Sequence, residues 1–370
     1  MALFFFFCGE IMQQAILKTI SPDLEIQPLD RSLLTQAQKH LDRLTKPKGS
    51  LGRLEEIAMR LYAIFGGRTP LCVAPAIMYT VAADHGVAKQ NVSAYPQIVT
   101  RQMVENFLSG GGAINSLCQA NGITLSLIDA GCKGGPFAEH PALITKRFGE
   151  GTHDFTEQAA MNRETAVQAL QAGISLAREA ALMGCQCLAT GEMGIGNTTS
   201  ATAIFAALFN CDVAAITGPG TGITPQQLQH KKEVISQALN LHHATLAQGD
   251  TIDLLACLGG FEIAVMSGIM LGAAAEHVPV LIDGYIATAA FAIATALTEH
   301  VRDYAILTHV SAEPAYPQIL EKLATYPPLL NFGMRLGEGT GAALAYPLLG
   351  SAAAIFNQMA TFTQAKIAEK

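Results

Sequence analysis

Charge is scarce in this chain, at 14% of residues, and no long basic run appears; the balance of 23 basic against 30 acidic residues leaves a formal net charge of −7. Nothing in that distribution recommends nucleic acid as a partner, and a small-molecule ligand is the better expectation. A CxxC pair and a Cys/His ligand set are lacking too. The eight cysteines are scattered at positions 8, 72, 118, 132, 185, 187, 211 and 257, which argues against zinc and disulfides and for the reduced thiols of a cytoplasmic protein. Nor is there an uninterrupted apolar run of about 18 residues, so no membrane span is expected. The stretches 263–275 and 285–298 are bounded by Glu262, Glu276, Asp283 and Glu299 and are read as buried helices. The opening MALFFFFCGE lacks a basic stretch and a clear cleavage site, and makes a poor signal peptide. Met12 is an alternative start, and residues 1–20 are set apart as an extension of uncertain order.

Apolar residues make up 50% of the 370, enough to bury a large core. Strand-like segments recur at 75–84, 123–131, 185–194, 278–284 and 304–311, separated by helical stretches such as Thr156–Met183, with capping-like starts at Thr156 and Thr224-Pro225. This alternation predicts an α/β fold with a doubly wound, mainly parallel sheet over residues 75–341. The more charged segment 21–74, helical at 31–44 and 53–65, is expected to join residues 342–370 in a smaller helical domain.

In such sheets ligands bind beyond the carboxyl ends of the strands. The unusual residues concentrate there: ADHG (83–86), DAGCKGG (129–135), GEMGIGNTT (191–199), TGPGTGIT (217–224), DGY (283–285), HVSAEP (309–314) and LGEGTG (336–341). Each has a plain reading beside its chemical one. GEMGIGNTT leads from a strand into a helix and offers main-chain N–H groups and two hydroxyls to a phosphate, yet a tight turn explains it equally well. It is neither a Walker loop nor a GxGxxG fingerprint. TGPGTGIT is a Pro/Gly connector or a second phosphate loop within reach of Lys231. The strand-end acids Asp84, Asp129, Glu192, Asp283 and Glu338 are turn residues or, if buried, carboxyls raised toward general-base range. GE recurs at 191–192 and 337–338, read each time as entering a helix. His85 beside Asp84 suggests a metal ligand or a relay, with a turn histidine the preferred reading, and His309 and the pair His242-His243 are read as structural. SAYPQ with the helix from Val99 offers Tyr95, Gln97 and Gln102 to a planar heterocycle, or is a packed loop.

Taken together, KPKGSLGRLE, ADHGV, VSAYPQ, VTRQMVENFLSGGGAIN, GEMGIGNTTSATAI, TGPGTGI, GGFEIAVMSGIMLGAA, LIDGY, HVSAEP and LGEGTGAALA resemble, in order from Pro47 to Leu349, the nicotinate-nucleotide–dimethylbenzimidazole phosphoribosyltransferases of the cobalamin lower-ligand pathway. The resemblance implies transfer of a phosphoribosyl group from nicotinate mononucleotide to a benzimidazole nitrogen. It also implies a Rossmann-like α/β domain with a smaller helical domain from both chain ends, a homodimer, and no metal or redox cofactor. Carried onto matching positions, Glu338 is the general base and Glu192 stabilises the transition state. The phosphate rests on Gly194, Gly196, Asn197, Thr198, Gly218 and Gly220 with Lys231 as its cation. Asp283 and Ser311 complete the nucleotide pocket, and Ser93, Tyr95, Gln102, Leu336 and Gly337 receive the base. A nicotinamide-dinucleotide dehydrogenase is the competing reading, opposed by the glycine spacing; a non-enzymatic nucleotide binder is a third.

Overall fold

The computed structural model describes residues 16–368 except positions 221 and 324. The Phe run and the alternative start at Met12 lie outside the described residues. Residues 16–20 are helical and bury Leu17 and Ile20 in the core.

The described residues form a six-stranded sheet, parallel throughout. Its strands are β1 (Ala76–Ala83), β2 (Ile123–Gly131), β3 (Leu143–Thr145), β4 (Cys187–Met193), β5 (Val280–Ile282) and β6 (Ala305–Leu307), in the order β3-β2-β1-β4-β5-β6. That is the doubly wound order of the Rossmann fold, whose direction reverses between β1 and β4. Five strands fall where alternation and apolar runs place them. The edge strand β3 was not foreseen, because three residues are too short to carry a period.

Helices α1 (Arg31–Leu41) and α2 (Arg53–Ile64) pack on each other, and α2 packs on the C-terminal helix. Helices α3 (Val99–Leu108) and α4 (Ala113–Asn121) link β1 to β2. Helix α5 (Arg163–Leu182) leads into β4; α6 (Asn197–Phe209), α7 (Pro225–Leu241), α8 (Thr251–Leu258) and α9 (Phe261–Ala275) lead on to β5. Then come α10 (Tyr285–Leu297), α11 (Tyr316–Leu323) and α12 (Thr340–Gln358). Right-handed crossovers put α4 on one face of the sheet and α5, α9 and α10 on the other, while α12 packs beside α4.

The sequence reading of one helix over Thr156–Met183 is corrected: α5 begins at Arg163, capped by Asn162, whose side chain accepts from Thr165 N. Thr156 instead donates its hydroxyl to Asp154 in the preceding turn. Thr224 does cap α7, with Gln227 completing a capping box and Pro225 in the first turn. The two apolar stretches are the buried helices α9 and α10, and no helix of the described residues is long and apolar enough to cross a membrane.

Helices α5 and α9 meet at glycines. A Cβ on Gly268 would lie 2.1 Å from the carbonyl oxygen of Leu170, and one on Gly173 would lie 2.1 Å from that of Val265. Both obstacles are main chain, so no rotamer change relieves them. Gly268→Val is therefore expected to force the helices apart and cost at least about 1–3 kcal/mol in chemical denaturation. Ser175→Ala, on the solvent face of α5, should change stability by less than about 0.5 kcal/mol; equal effects of the two would refute the close-contact account.

Candidate active site

Beyond the carboxyl ends of β4, β5 and β6, next to the reversal of strand order, lies a cavity of about 490 Å³. Its wall carries Tyr95, Val99 and Met103 from the β1–α4 region, Glu192 to Ile195 with Asn197 and Thr198 around the end of β4, Gly220, Gly284 to Ile286, His309, Ser311, Glu313, and Arg335 to Glu338 ahead of α12. A second cleft, of about 430 Å³ between Phe148, Phe261 and Asp154, holds none of the expected residues.

Glu338 is placed by its main chain. Its backbone is left-handed, with φ 64°, a conformation that costs a residue with a Cβ roughly 1–2 kcal/mol. Neighbouring bonds hold it there: Thr80 Oγ1 donates to the Glu338 carbonyl at 2.8 Å, and Glu338 N donates to the Glu192 carbonyl at 3.2 Å. So close an approach of loop to sheet demands a glycine opposite. A Cβ on Gly191 would meet the Glu338 carbonyl oxygen at 2.3 Å. Oε2 of Glu338 accepts from Ile114 N at 3.4 Å, at the first turn of α4. Burial raises the Glu338 carboxyl above its ordinary value; that N–H opposes the shift and Asp283 adds to it.

Glu192, at the end of β4, is 7% exposed and accepts a short hydrogen bond from Asn197 Nδ2. Burial first, then the charges of Asp283 and Glu262, push its carboxyl up to about 8. It belongs to the strand itself, so the reading that Gly191-Glu192 enters a helix is corrected; α6 begins at Asn197. Asp283, one residue past β5, does not line the cavity. It accepts from Gly339 N at 3.1 Å through one oxygen, and from Gly341 N at 2.8 Å and Ala342 N at 3.2 Å through the other. Burial raises its carboxyl, against the opposing pull of His309 and of these N–H groups.

The cavity thus assembles Tyr95, Glu192, Gly194, Asn197, Thr198, Gly220, Ser311, Leu336, Gly337 and Glu338 from the expected set. Six others, Asp283 among them, do not line it. Ser93 accepts from Tyr95 N at 3.2 Å and shapes that turn. Gln102 is exposed on α3 beside Met103. Gly196 caps α6. Gly218 and Lys231 meet in the interior: Lys231 is 1% exposed and its Nζ donates to Thr198 Oγ1 at 2.9 Å and to the Gly218 carbonyl at 3.3 Å. Burial lowers its ammonium to about 8, opposed by the charge of Glu313.

Residue-by-residue reading missed three groups on the wall. His309, read as structural, lines the cavity with Nδ1 3.8 Å from Asp283 Oδ1. Glu313 and Arg335 line it too, the latter donating from Nη1 to the Gly220 carbonyl at 2.7 Å. The signal was present for all three, since His309 and Glu313 sit in the strand-end turn HVSAEP and Arg335 directly precedes LGEGTG. His85 lies in the interior beneath the 194–196 loop, its Nε2 2.6 Å from Glu262 Oε1. Among the described residues no group of three or more His, Cys, Asp or Glu side chains is arranged to hold a metal ion.

Chemically, the site sets buried acids, suited to a developing positive charge, beside Gly194 and Gly220 of two glycine loops of the kind that hold anions. At its mouth two apolar side chains, Tyr95 at 55% exposure and Leu336 at 59%, remain available to a flat ligand.

A family model described as phosphoribosyltransferase matches residues 26–367. A relative from Nitratidesulfovibrio vulgaris named nicotinate-nucleotide–dimethylbenzimidazole phosphoribosyltransferase is 53% identical over 344 residues, 93% of this chain and 96% of its own. One of the same name from Chloroflexus aggregans is 46% identical over 345 residues, again 93% of this chain and 96% of its own. The crystal structure of the Thermus thermophilus protein of that name superposes with a TM-score of 0.86 at 39% identity, covering 92% of this chain and all of the other. With this identity sustained over nearly its whole length and the fold shared, the chain belongs to the nicotinate-nucleotide–dimethylbenzimidazole phosphoribosyltransferase family.

Proposed function

We infer that the chain transfers the 5-phosphoribosyl group of nicotinate mononucleotide to 5,6-dimethylbenzimidazole or a related base, giving α-ribazole 5′-phosphate and nicotinate for cobalamin nucleotide-loop assembly. The observation that carries this reading is Glu338, a buried carboxyl held in a left-handed loop at the cavity wall, in a chain of this family. The substrate's pyridinium is bonded to C1′. As a benzimidazole nitrogen attacks C1′ from the opposite side, the old N–C1′ bond breaks and its electron pair neutralises the departing pyridine nitrogen. The attacking ring would become cationic, so the proton on its second nitrogen passes to Glu338 as the new bond forms. A carboxyl raised by burial is suited to accept it.

Glu192 serves the other charge. C1′ acquires oxocarbenium character between the two nitrogens, and a carboxylate near it lowers that barrier without moving. In the free protein Glu192 holds its proton up to about pH 8; a bound pyridinium cation favours the ionised form. The phosphate lies against Gly194, Asn197, Thr198 and Gly220. Lys231 supports this wall from behind through Thr198 and Gly218. Tyr95 and Leu336 cover the faces of the base, with Ser93 and Gln102 behind and beside them. Asp283 and Ser311 complete the nucleotide side, Asp283 by fixing the start of α12. A homodimeric, cytoplasmic enzyme working without metal or redox cofactor is part of the same proposal, in line with the family resemblance.

Nicotinate release from nicotinate mononucleotide should require a benzimidazole, and Glu338→Gln should lower turnover about 10²-fold. The fold should survive, because the amide oxygen still accepts from Ile114 N and the main-chain bonds to Thr80 and Glu192 do not involve the side chain. Turnover at the wild-type rate in this variant would remove Glu338 from its role.

Glu192 makes a second test through stability. Its folded value of about 8 exceeds the ordinary 4.5, so the folded chain binds this proton more tightly than the unfolded chain. The stabilisation is whole below pH 4.5 and is lost as pH rises toward 8. Glu192→Gln carries no such loss. Its melting temperature should exceed that of the wild type by a margin that widens from about pH 5 to pH 8 and then levels off at roughly a few degrees, while turnover falls. A margin independent of pH would contradict the burial argument.

A further inference from the structure

The proposed substrate carries a phosphate dianion, and the lysine expected to neutralise it stands directly behind the cavity wall, its Nζ against Thr198 and Gly220, without lining it. Lys231 is 1% exposed, its ammonium is committed to Thr198 Oγ1 and the Gly218 carbonyl, and Glu313 offsets part of its charge. Among the described residues of the wall, the acids are Glu192, Glu313 and Glu338, against one side chain with a permanent positive charge, Arg335. A dianion entering so acidic a space needs that charge at short range.

Arg335 is held where it is needed. Nη1 donates to the Gly220 carbonyl at 2.7 Å, which fastens the guanidinium to the glycine loop at that residue. The Cβ position of Gly220 is in turn 2.9 Å from Thr198 Oγ1 and 3.3 Å from Lys231 Nζ, so the point to which Arg335 is fastened lies against the other candidate phosphate loop. One of its five N–H groups is used on Gly220, and the fork retains donors for two phosphate oxygens at once. A lysine at this position would supply charge without that fork.

We propose that Arg335 binds the 5′-phosphate of the ribosyl donor directly, clamping it against the loop at Gly220, while Lys231 holds the loop from behind. This rests on the phosphoribosyl-transfer reading given above. The other anion of the donor is the carboxylate on its pyridinium ring, which has the same affinity for a guanidinium. The anchor on Gly220 favours the phosphate, and experiment separates the two.

Wild type, Arg335→Met and Arg335→Lys of the full chain would be compared in steady-state transfer to dimethylbenzimidazole. Binding of ribose 5-phosphate and of nicotinate would be measured separately by calorimetry. Arg335→Met should raise KM for nicotinate mononucleotide and weaken ribose 5-phosphate by about 10–100-fold, with KM for the base and affinity for nicotinate unchanged. Arg335→Lys should fall between, since charge returns without the fork. A structural role alone would not separate ribose 5-phosphate from the base in this way. Loss of nicotinate affinity with ribose 5-phosphate intact would overturn the proposal in favour of the carboxylate, and unchanged affinity for both would overturn it outright. Absence of any transfer by the wild type would instead refute the proposed function, leaving ribose 5-phosphate binding to decide the role of Arg335.

Discussion

Three main-chain N–H groups, of Gly339, Gly341 and Ala342, converge on the buried carboxylate of Asp283, and the geometry of the site depends on that convergence. The first turn of any helix leaves N–H groups without partners, and its dipole favours a negative charge beside them. Here the partner comes from the end of β5, so a strand paired on both sides within the sheet takes hold of α12, a helix from the far end of the chain. Glu338 is the residue immediately ahead. With its carbonyl held by Thr80 of β1 and its N–H by Glu192 of β4, the strained residue is fixed from three strands at once. The proposed proton transfer needs an alignment that a mobile loop would lose, and the sheet lends Glu338 its rigidity.

The acids gathered around that point are unfavourable company for one another. Glu192, Asp283 and Glu338 are each raised by burial, and each of the two glutamates is raised further by the charge of Asp283. Such crowding costs stability in the empty protein and is relieved by a ligand with a positive centre. A pyridinium nucleotide brings one, and the transition state shifts it toward C1′. Under the proposed reaction the cavity suits the charge that develops more than a neutral base, for which the more apolar mouth at Tyr95 and Leu336 is the better match.

Much of this was legible in the sequence, for identifiable reasons. Strands buried on both faces read as apolar runs, so β1, β2, β4, β5 and β6 were found; the three-residue β3 had no period to read. Glu338 stood out because a carboxylate among glycines is unusual. What the chain could not reveal was the direction and depth of side chains. Lys231 reads as an exposed basic residue two turns into a helix, and only packing against α6 turns its ammonium inward to Thr198. His309 follows β6 like any turn residue, and its place beside Asp283 depends on the pairing of β5 with β6. Thr156 looked like a helix start because Thr caps helices, but its hydroxyl is satisfied by Asp154, and Asn162 caps instead.

The segment 335–338 gains significance from this placement. Arg335 reaches one way, to the glycine loop at Gly220, and Glu338 reaches the other, between β1 and β4. Three residues of chain hold their end Cα atoms within about 10 Å. One strap of backbone, pinned at both ends, therefore couples the glycine loop at Gly220 to the sheet at Thr80 and Glu192, so that neither is adjusted independently of the other.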